Sequence, residues 1–146
     1  MTALRIALSS DHAAIALRQT IAAHLTARGF QPVDIGPTTP ESTHYPVHGQ
    51  AAARLVASGD CALGIILCGT GQGIMMAANK VPGIRCGVCA EPYSASMIRQ
   101  HNDANMLSIG ARVVGEGLAL AIVDAFLDAQ FEGGRHATRV AMIEGA

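Results

Sequence analysis

Short apolar runs alternate with longer amphipathic segments from one end of this chain to the other. Residues 4–9 predict a strand. Residues 11–28 predict a helix with Ala14, Leu17, Ile21 and Leu25 on one face, stopped by Gly29. A second strand is expected over 31–35, the longest loop over 36–43, and a helix over 45–58. The third strand falls at 62–67, followed by a short helix at 73–80 that Pro82-Gly83 closes. Residues 84–89 read as a strand, 92–102 as a helix, 106–109 as the fifth strand and 114–127 as another helix. A last short helix runs over 135–143, after Glu132-Gly133-Gly134. Strands apolar on both faces, alternating with helices, imply an α/β fold: a parallel sheet covered on both sides through right-handed crossovers. Ligands in such folds bind outside the carboxyl ends of the strands. No repeat, linker or low-complexity tract interrupts the pattern, so one domain over residues 1–146 is expected.

Composition narrows the class. Half of the residues are hydrophobic, 14% are charged and the formal net charge is −1, which argues against disorder and against the clustered basic charge of a nucleic-acid binder. Aromatics make up only 3%, so the core must come from Ala, Val, Ile, Leu and Met. No secretory signal is evident and no apolar run approaches the ~18 residues of a membrane span. A cytoplasmic protein that contacts neither membrane nor nucleic acid is expected. The four cysteines should then be reduced. Cys86-Gly87-Val88-Cys89 matches C-x-x-C but lies in a strand pattern, without a second Cys or His pair at ligand spacing, and packing explains it better than redox or metal chemistry.

Chemistry concentrates where candidate strands end. Residues 65–80 place Cys68 at the close of a buried strand, with Gly69, Gly71 and Gly73 next and a helix after them. The spacing fits neither a Walker A loop nor G-x-G-x-x-G after the first strand, so nucleotide binding is poorly supported. Backbone N–H groups of residues 69–73 could line an anion or oxyanion hole; a plain tight turn is the alternative. Cys68 is either a packed thiol or a general base near a helix N-terminus, acting on a C–H next to a carbonyl. Ser10-Asp11-His12 reads as a helix cap or as a proton-shuttling pair, and His101-Asn102-Asp103 as a helix end or a polar site cluster. Arg112, Arg135, His136 and Arg139 complete the set. Arg135 and Arg139 share a helix face, which is either an exposed basic face or a phosphate grip.

Six stretches carry a resemblance to a known family: Ser10-Asp11-His12-Ala13, Cys68-Gly69-Thr70-Gly71-Gln72-Gly73, the run from Ala77 to Arg85, the run from Arg99 to Asn105, Gly110-Ala111-Arg112-Val113-Val114-Gly115 and Glu132-Gly133-Gly134-Arg135-His136. In order and over nearly the whole chain, they closely resemble type B ribose-5-phosphate isomerases, a group that also contains the galactose-6-phosphate isomerase subunits. The resemblance implies a three-layer Rossmann-like fold with a five-stranded parallel sheet. It implies a homodimer whose active sites draw on both subunits, with pairing of dimers into tetramers left open. The implied substrate is a small sugar phosphate, ribose 5-phosphate, converted to ribulose 5-phosphate through a cis-enediol without metal or cofactor.

By the same resemblance Cys68 is the base that moves a proton between C1 and C2. Thr70 and the N–H groups of residues 69–73, with Gly69, Gly71 and Gly73 among them, hold the enediolate oxygens. Asp11 and His101 assist opening of the furanose ring, and Asn102 contacts hydroxyls. His12, Arg112, Arg135 and Arg139 hold the phosphate, some of them from the partner subunit; Ser10, Tyr45 and His136 complete the implied substrate-binding set. Some members use a Glu base from the following helix, but this chain has Met75 and Met76 there. It departs from the family at His44-Tyr45-Pro46-Val47-His48, where relatives carry Asp-Tyr-Pro, and that bears on which sugar phosphate fits. Two other readings are a six-carbon aldose 6-phosphate isomerase and a non-catalytic sugar-phosphate-binding domain. The second has no use for Cys68, Thr70, Asp11 and His101 together.

Overall fold

The computed structural model describes residues 2–146; Met1, the first residue of the expected domain, lies outside them. Its strands are β1 (Arg5–Ser10), β2 (Gln31–Asp34), β3 (Leu63–Cys68), β4 (Cys86–Val88) and β5 (Met106–Gly110). Its helices are α1 (Ile15–Ala27), α2 (Tyr45–Ala57), α3 (Gln72–Ala78), α4 (Pro92–Asn102), α5 (Glu116–Asp128) and α6 (Arg135–Glu144). All neighbouring strands pair parallel, in the order β2-β1-β3-β5-β4. This is the expected three-layer α/β fold.

Alternation along the central strands sorts the two faces. Ile6, Leu8, Ile65, Leu67, Leu107 and Ile109 pack with Ile21 and Leu25 of α1, Ala95 of α4, and Ile122 and Phe126 of α5. Ala7, Ile66, Cys68 and Met106 face the other way, against Ala52 and Ala53 of α2 and Ile74 and Ala78 of α3. Residues with small side chains on α2 and α3 let those helices approach the sheet closely. β2, with Pro32 and partial exposure, is suited to its edge position.

Two elements differ from the expectation for local reasons. The helix expected over 11–28 breaks after its first turn, because the Asp11 carboxylate accepts the Ala13 N–H at 2.9 Å and caps a short 3₁₀ turn (His12–Ala14). The strand expected over 84–89 shrinks to three residues, since side chains take the backbone groups before it: Arg85 N–H donates to Asn105 Oδ1 and Cys86 N–H to Asn79 Oδ1.

The topology fixes where a site can form. The helix after β1 lies on one face, the helix after β3 on the other, and the helix after β5 on the first again. The connections from these three adjacent strands therefore diverge at their carboxyl ends and leave a crevice.

Candidate active site

Cys68 is the last residue of the central strand β3, and backbone hydrogen bonds stitch it between its neighbours. Ser10 pairs with Leu67, and Asp11 N–H donates to Leu67 C=O at 3.1 Å. On the other side Cys68 pairs with Gly110, Ala111 N–H donates to Cys68 C=O, and Arg112 N–H donates to Gly69 C=O, both at 2.9 Å. Asp11, Cys68 and Arg112 thus stand at or just past the carboxyl ends of three adjacent strands.

The loop after Cys68 turns back onto the thiol. Gly71 N–H donates to Cys68 Sγ at 3.1 Å, a donor placed where negative charge on sulfur would need one. Gly71 sits at φ +79°, with Ser108 Oγ donating to its carbonyl at 2.6 Å. A Cβ there would stand 2.9 Å from the Ile109 carbonyl carbon, so both conformation and space require glycine. Thr70 is exposed at the rim, its Oγ1 accepting Gln72 N–H at 3.2 Å. The Arg112 guanidinium lies over Gly69, and the Tyr45 ring fills the space a side chain at Gly73 would need.

The β1 end adds a nearly buried carboxylate, Asp11, and His12, whose Nδ1 accepts Thr43 N–H at 3.1 Å. Thr43 Oγ1 in turn meets His48 Nε2. Burial holds the His48 imidazole below its ordinary pKa and Arg18 adds to the effect, while Asp11 opposes it. Loop 36–43 is therefore folded down against the crevice. The Ser10 side chain is fully buried, receives Arg18 Nη1 at 2.7 Å and donates to Asp11 C=O at 2.8 Å, so it supports the turn that carries Asp11 and His12.

The remaining candidates lie at the opposite end of the sheet. Helix α4 starts beyond the carboxyl end of β4 and returns to the start of β5, and its 11 residues span roughly 16 Å. His101 and Asn102, in its last turn, are thereby carried to the amino end of the sheet, away from Cys68. His101 stacks on His136 of α6, with ring centroids 4.2 Å apart and planes within 8°. The His136 imidazole is held below its usual pKa by burial first, then by His101 and Arg135. Its Nε2 is buried without a hydrogen-bond partner, and the Glu132 carboxylate is 3.6 Å away. Arg135 and Arg139 are exposed on α6. One chain therefore gathers Asp11, His12, Tyr45, Cys68, Thr70, Gly71, Gly73 and Arg112 in one cluster and His101, Asn102, Arg135, His136 and Arg139 in another. Two cavities touch these clusters only at their edges: one of about 520 Å³ is lined by Asn102 with Arg85 and Glu144, and one of about 360 Å³ by Thr70 with Gln72 and Val88.

His101, Glu132 and His136 form the one cluster among the described residues with potential metal-ligating atoms within 4.8 Å of one another. Parallel stacked rings aim their lone pairs alongside each other rather than at a common point, and Arg135 adds positive charge nearby. Cys86 and Cys89 are buried; burial pushes the Cys86 thiol far up and the Cys89 thiol to about 11, which suits packing. Sequence reasoning missed Arg18, Thr43 and Glu132. Arg18 carried a signal: it falls four residues after Ala14 and three before Ile21, on the apolar face of α1.

A family model described as Ribose/Galactose Isomerase matches residues 6–143. Ribose-5-phosphate isomerase B of Escherichia coli (strain K12) is 52% identical over 139 residues, covering 95% of this chain and 93% of that protein. The solved structure of Clostridium thermocellum ribose-5-phosphate isomerase B superposes with a TM-score of 0.96 at 52% identity, over 97% of this chain and 96% of that one. The Mycoplasma genitalium ribose-5-phosphate isomerase B, solved with bound ribulose-5-phosphate, superposes at 0.94 and 37% identity, over 99% and 97%.

Proposed function

This chain belongs to the ribose/galactose isomerase family and is an isomerase, and we propose that it interconverts ribose 5-phosphate and ribulose 5-phosphate with Cys68 as the proton-transferring base. One observation carries the assignment of the base. A single thiol stands at the carboxyl end of the central strand, with the Gly71 N–H on its sulfur and Asp11 and Arg112 on the flanking strand ends. Once the furanose is open, Cys68 takes the proton from C2 and the C1 aldehyde becomes an enediolate. Backbone N–H groups of the turn at 69–73 receive the negative oxygen. A hydroxyl proton passes from O2 to O1, where Thr70 Oγ1 is at hand, and the thiol returns its proton to C1 to leave the ketose. Asp11 serves ring opening, while His12 and Arg112 take the phosphate.

The second cluster completes this site from another copy. In the proposed homodimer the partner's His101 joins Asp11 in ring opening, the partner's Asn102 meets the sugar hydroxyls, and the partner's Arg135 and the partner's Arg139 close on the phosphate. The support is the distance of roughly one α4 length between the clusters of a single chain. Four free thiols suit a reducing compartment, and cytoplasmic operation is proposed on that ground.

Ribose 5-phosphate supplied in deuterated water tests the reading. Wild-type protein should form ribulose 5-phosphate carrying solvent deuterium at C1, and Cys68→Ala should lose a factor of about 10²–10⁴. Turnover that survives Cys68→Ala removes the base assignment. Saturable binding without turnover of pentose, tetrose or hexose phosphates favours a binding domain. Mixing inactive Cys68→Ala with inactive His101→Ala should restore activity through hybrid dimers; no restoration removes the shared site.

A further inference from the structure

We infer that Arg18 is a positioning residue for the sugar-phosphate site, locking the Asp11-His12 turn and loop 36–43 into the geometry that binds the substrate and opens its ring; this rests on the function proposed above. Arg18 lies on α1 with its side chain 3% exposed, on the buried helix face it shares with Ile21 and Leu25, where a leucine or methionine would serve packing. Its guanidinium instead spreads over three segments. Nη1 donates to Ser10 Oγ at 2.7 Å, at the end of β1. Nε donates to the Asp34 carboxylate, 3.0 Å from Oδ1 and 3.2 Å from Oδ2, at the end of β2. Nη2 donates to the Pro37 carbonyl at 2.7 Å, in the loop.

Each anchor leads onward to a site group. Ser10 Oγ passes its own hydrogen bond to the Asp11 carbonyl, and Asp11 caps the turn that presents His12. The anchored loop ends at Thr43, whose N–H holds His12 Nδ1. Gly36 lies so close over the fork that a Cβ there would be 2.2 Å from Nη1. A planar fork with donors fixed in several directions can bridge three segments at once; a lysine ammonium is a single point on a flexible stem. Burying the charge is tolerable because Asp34 neutralises it and oxygen acceptors surround it. His48 also feels this charge, so it faces the crevice as well as its own anchors.

None of these contacts reaches Cys68, which receives its hydrogen bond from Gly71. Loss of Arg18 should therefore impair binding and ring opening while leaving proton transfer intact. Two substrates separate these steps. Ribose 5-phosphate enters as a furanose. Ribulose 5-phosphate has its C5 oxygen blocked by phosphate and no furanose form, so deuterium exchange into it reports the proton transfer alone.

Arg18→Met should cut kcat/KM for ribose 5-phosphate about 10- to 100-fold, the scale of an ångström-sized misplacement. At saturation, exchange into ribulose 5-phosphate should stay within about threefold of wild type. Arg18→Lys should recover part of the loss. Gly36→Ala, which keeps Arg18 but puts a methyl on its fork, should show the same split between the two assays and carries the test if Arg18→Met does not fold. Wild-type kcat/KM in the folded variants, or equal loss of turnover and exchange, overturns the proposal. A wild-type protein inactive on both pentose phosphates overturns the functional reading instead, so the two failures are distinguishable.

Discussion

Replacing Gly71 by alanine separates the two demands this position makes, and Gly59→Ala supplies the reference. Both glycines have positive φ, +79° and +85°. Around Gly59 a Cβ would meet nothing within 4 Å, so its substitution adds only left-handed strain, about 1–2 kcal/mol. At Gly71 the new methyl would also stand 2.9 Å from the Ile109 carbonyl carbon and Val88 Cγ2 and 3.0 Å from Gly110 N. Two of those atoms are backbone of a central strand and cannot step aside, so overpacking adds about 1–3 kcal/mol. The sum is about 2–5 kcal/mol for Gly71→Ala. With a urea slope of about 1–3 kcal/mol/M, the Gly71 variant should unfold at a midpoint lower than the Gly59 variant by the order of 1 M.

Activity supplies the second readout. A turn displaced at residue 71 moves the N–H that bonds Cys68 Sγ, and loss of one such donor typically lowers kcat about 10²–10³-fold. Gly59 lies between α2 and β3, far along the chain from the turn, and Gly59→Ala should keep its rate. Matched urea midpoints for the two variants, or a Gly71→Ala enzyme of wild-type kcat, would refute the account of the turn.

Iodoacetamide applied to the folded protein near pH 8 should alkylate Cys68 before the other thiols, because burial pushes Cys61, Cys86 and Cys89 up; peptide mass mapping reads the order, and early labelling of Cys86 or Cys89 contradicts it. Asp124 is nearly two-fifths exposed, and burial acts to raise its pKa, but hydrogen bonds from His24 and Arg28 bring it below the usual range. Because the folded value is the lower one, its stabilisation is present above the unfolded carboxylate pKa of ~4 and lost as pH falls through the folded value. Wild type should exceed Asp124→Asn by about 0.5–1 kcal/mol in urea unfolding at pH 6, and the gap should close toward pH 3; a constant gap contradicts the linkage. A chain carrying both Cys68→Ala and His101→Ala should poison wild type on mixing, since each site of the hybrid receives one defect, and undiminished activity in a verified hybrid would contradict the shared arrangement.

The strands and most helices were legible because each central strand is a short apolar run and each helix carries an apolar stripe. The position of Cys68 followed from the same run, since the strand stops where the glycines start. Boundaries slipped where side chains replaced backbone partners, as Asn79 and Asn105 do before β4 and as Asp11 does before α1. The distance of His101 from Cys68 was readable in outline, because residues that precede a parallel strand lie at its amino end and residues that follow lie at its carboxyl end. The partners of Arg18 were not readable: they are 8, 16 and 19 residues away along the chain and meet only when β1 and β2 pair. Nor did any periodicity announce that the His101 and His136 rings would stack, because α6 follows an irregular segment whose path tertiary contacts set.

The sheet geometry underlies the proposal that the two clusters meet across two chains. Five residues of β5 cover roughly 16 Å, which matches the return length of α4, so no loop of a single copy brings His101 round to the carboxyl end. In the proposed dimer, a two-fold axis across the strands would reverse their direction in the second copy and set the amino end of one sheet against the carboxyl end of the other. The operation acts on both copies, so it builds two equivalent sites or none. In the proposed mechanism the chemistry divides along the same line. The carboxyl end holds groups fixed by backbone, the thiol and the N–H groups of its turn, where sub-ångström placement decides the rate. The amino end offers long arginines on an exposed helix, able to follow a phosphate as the substrate changes from ring to open chain.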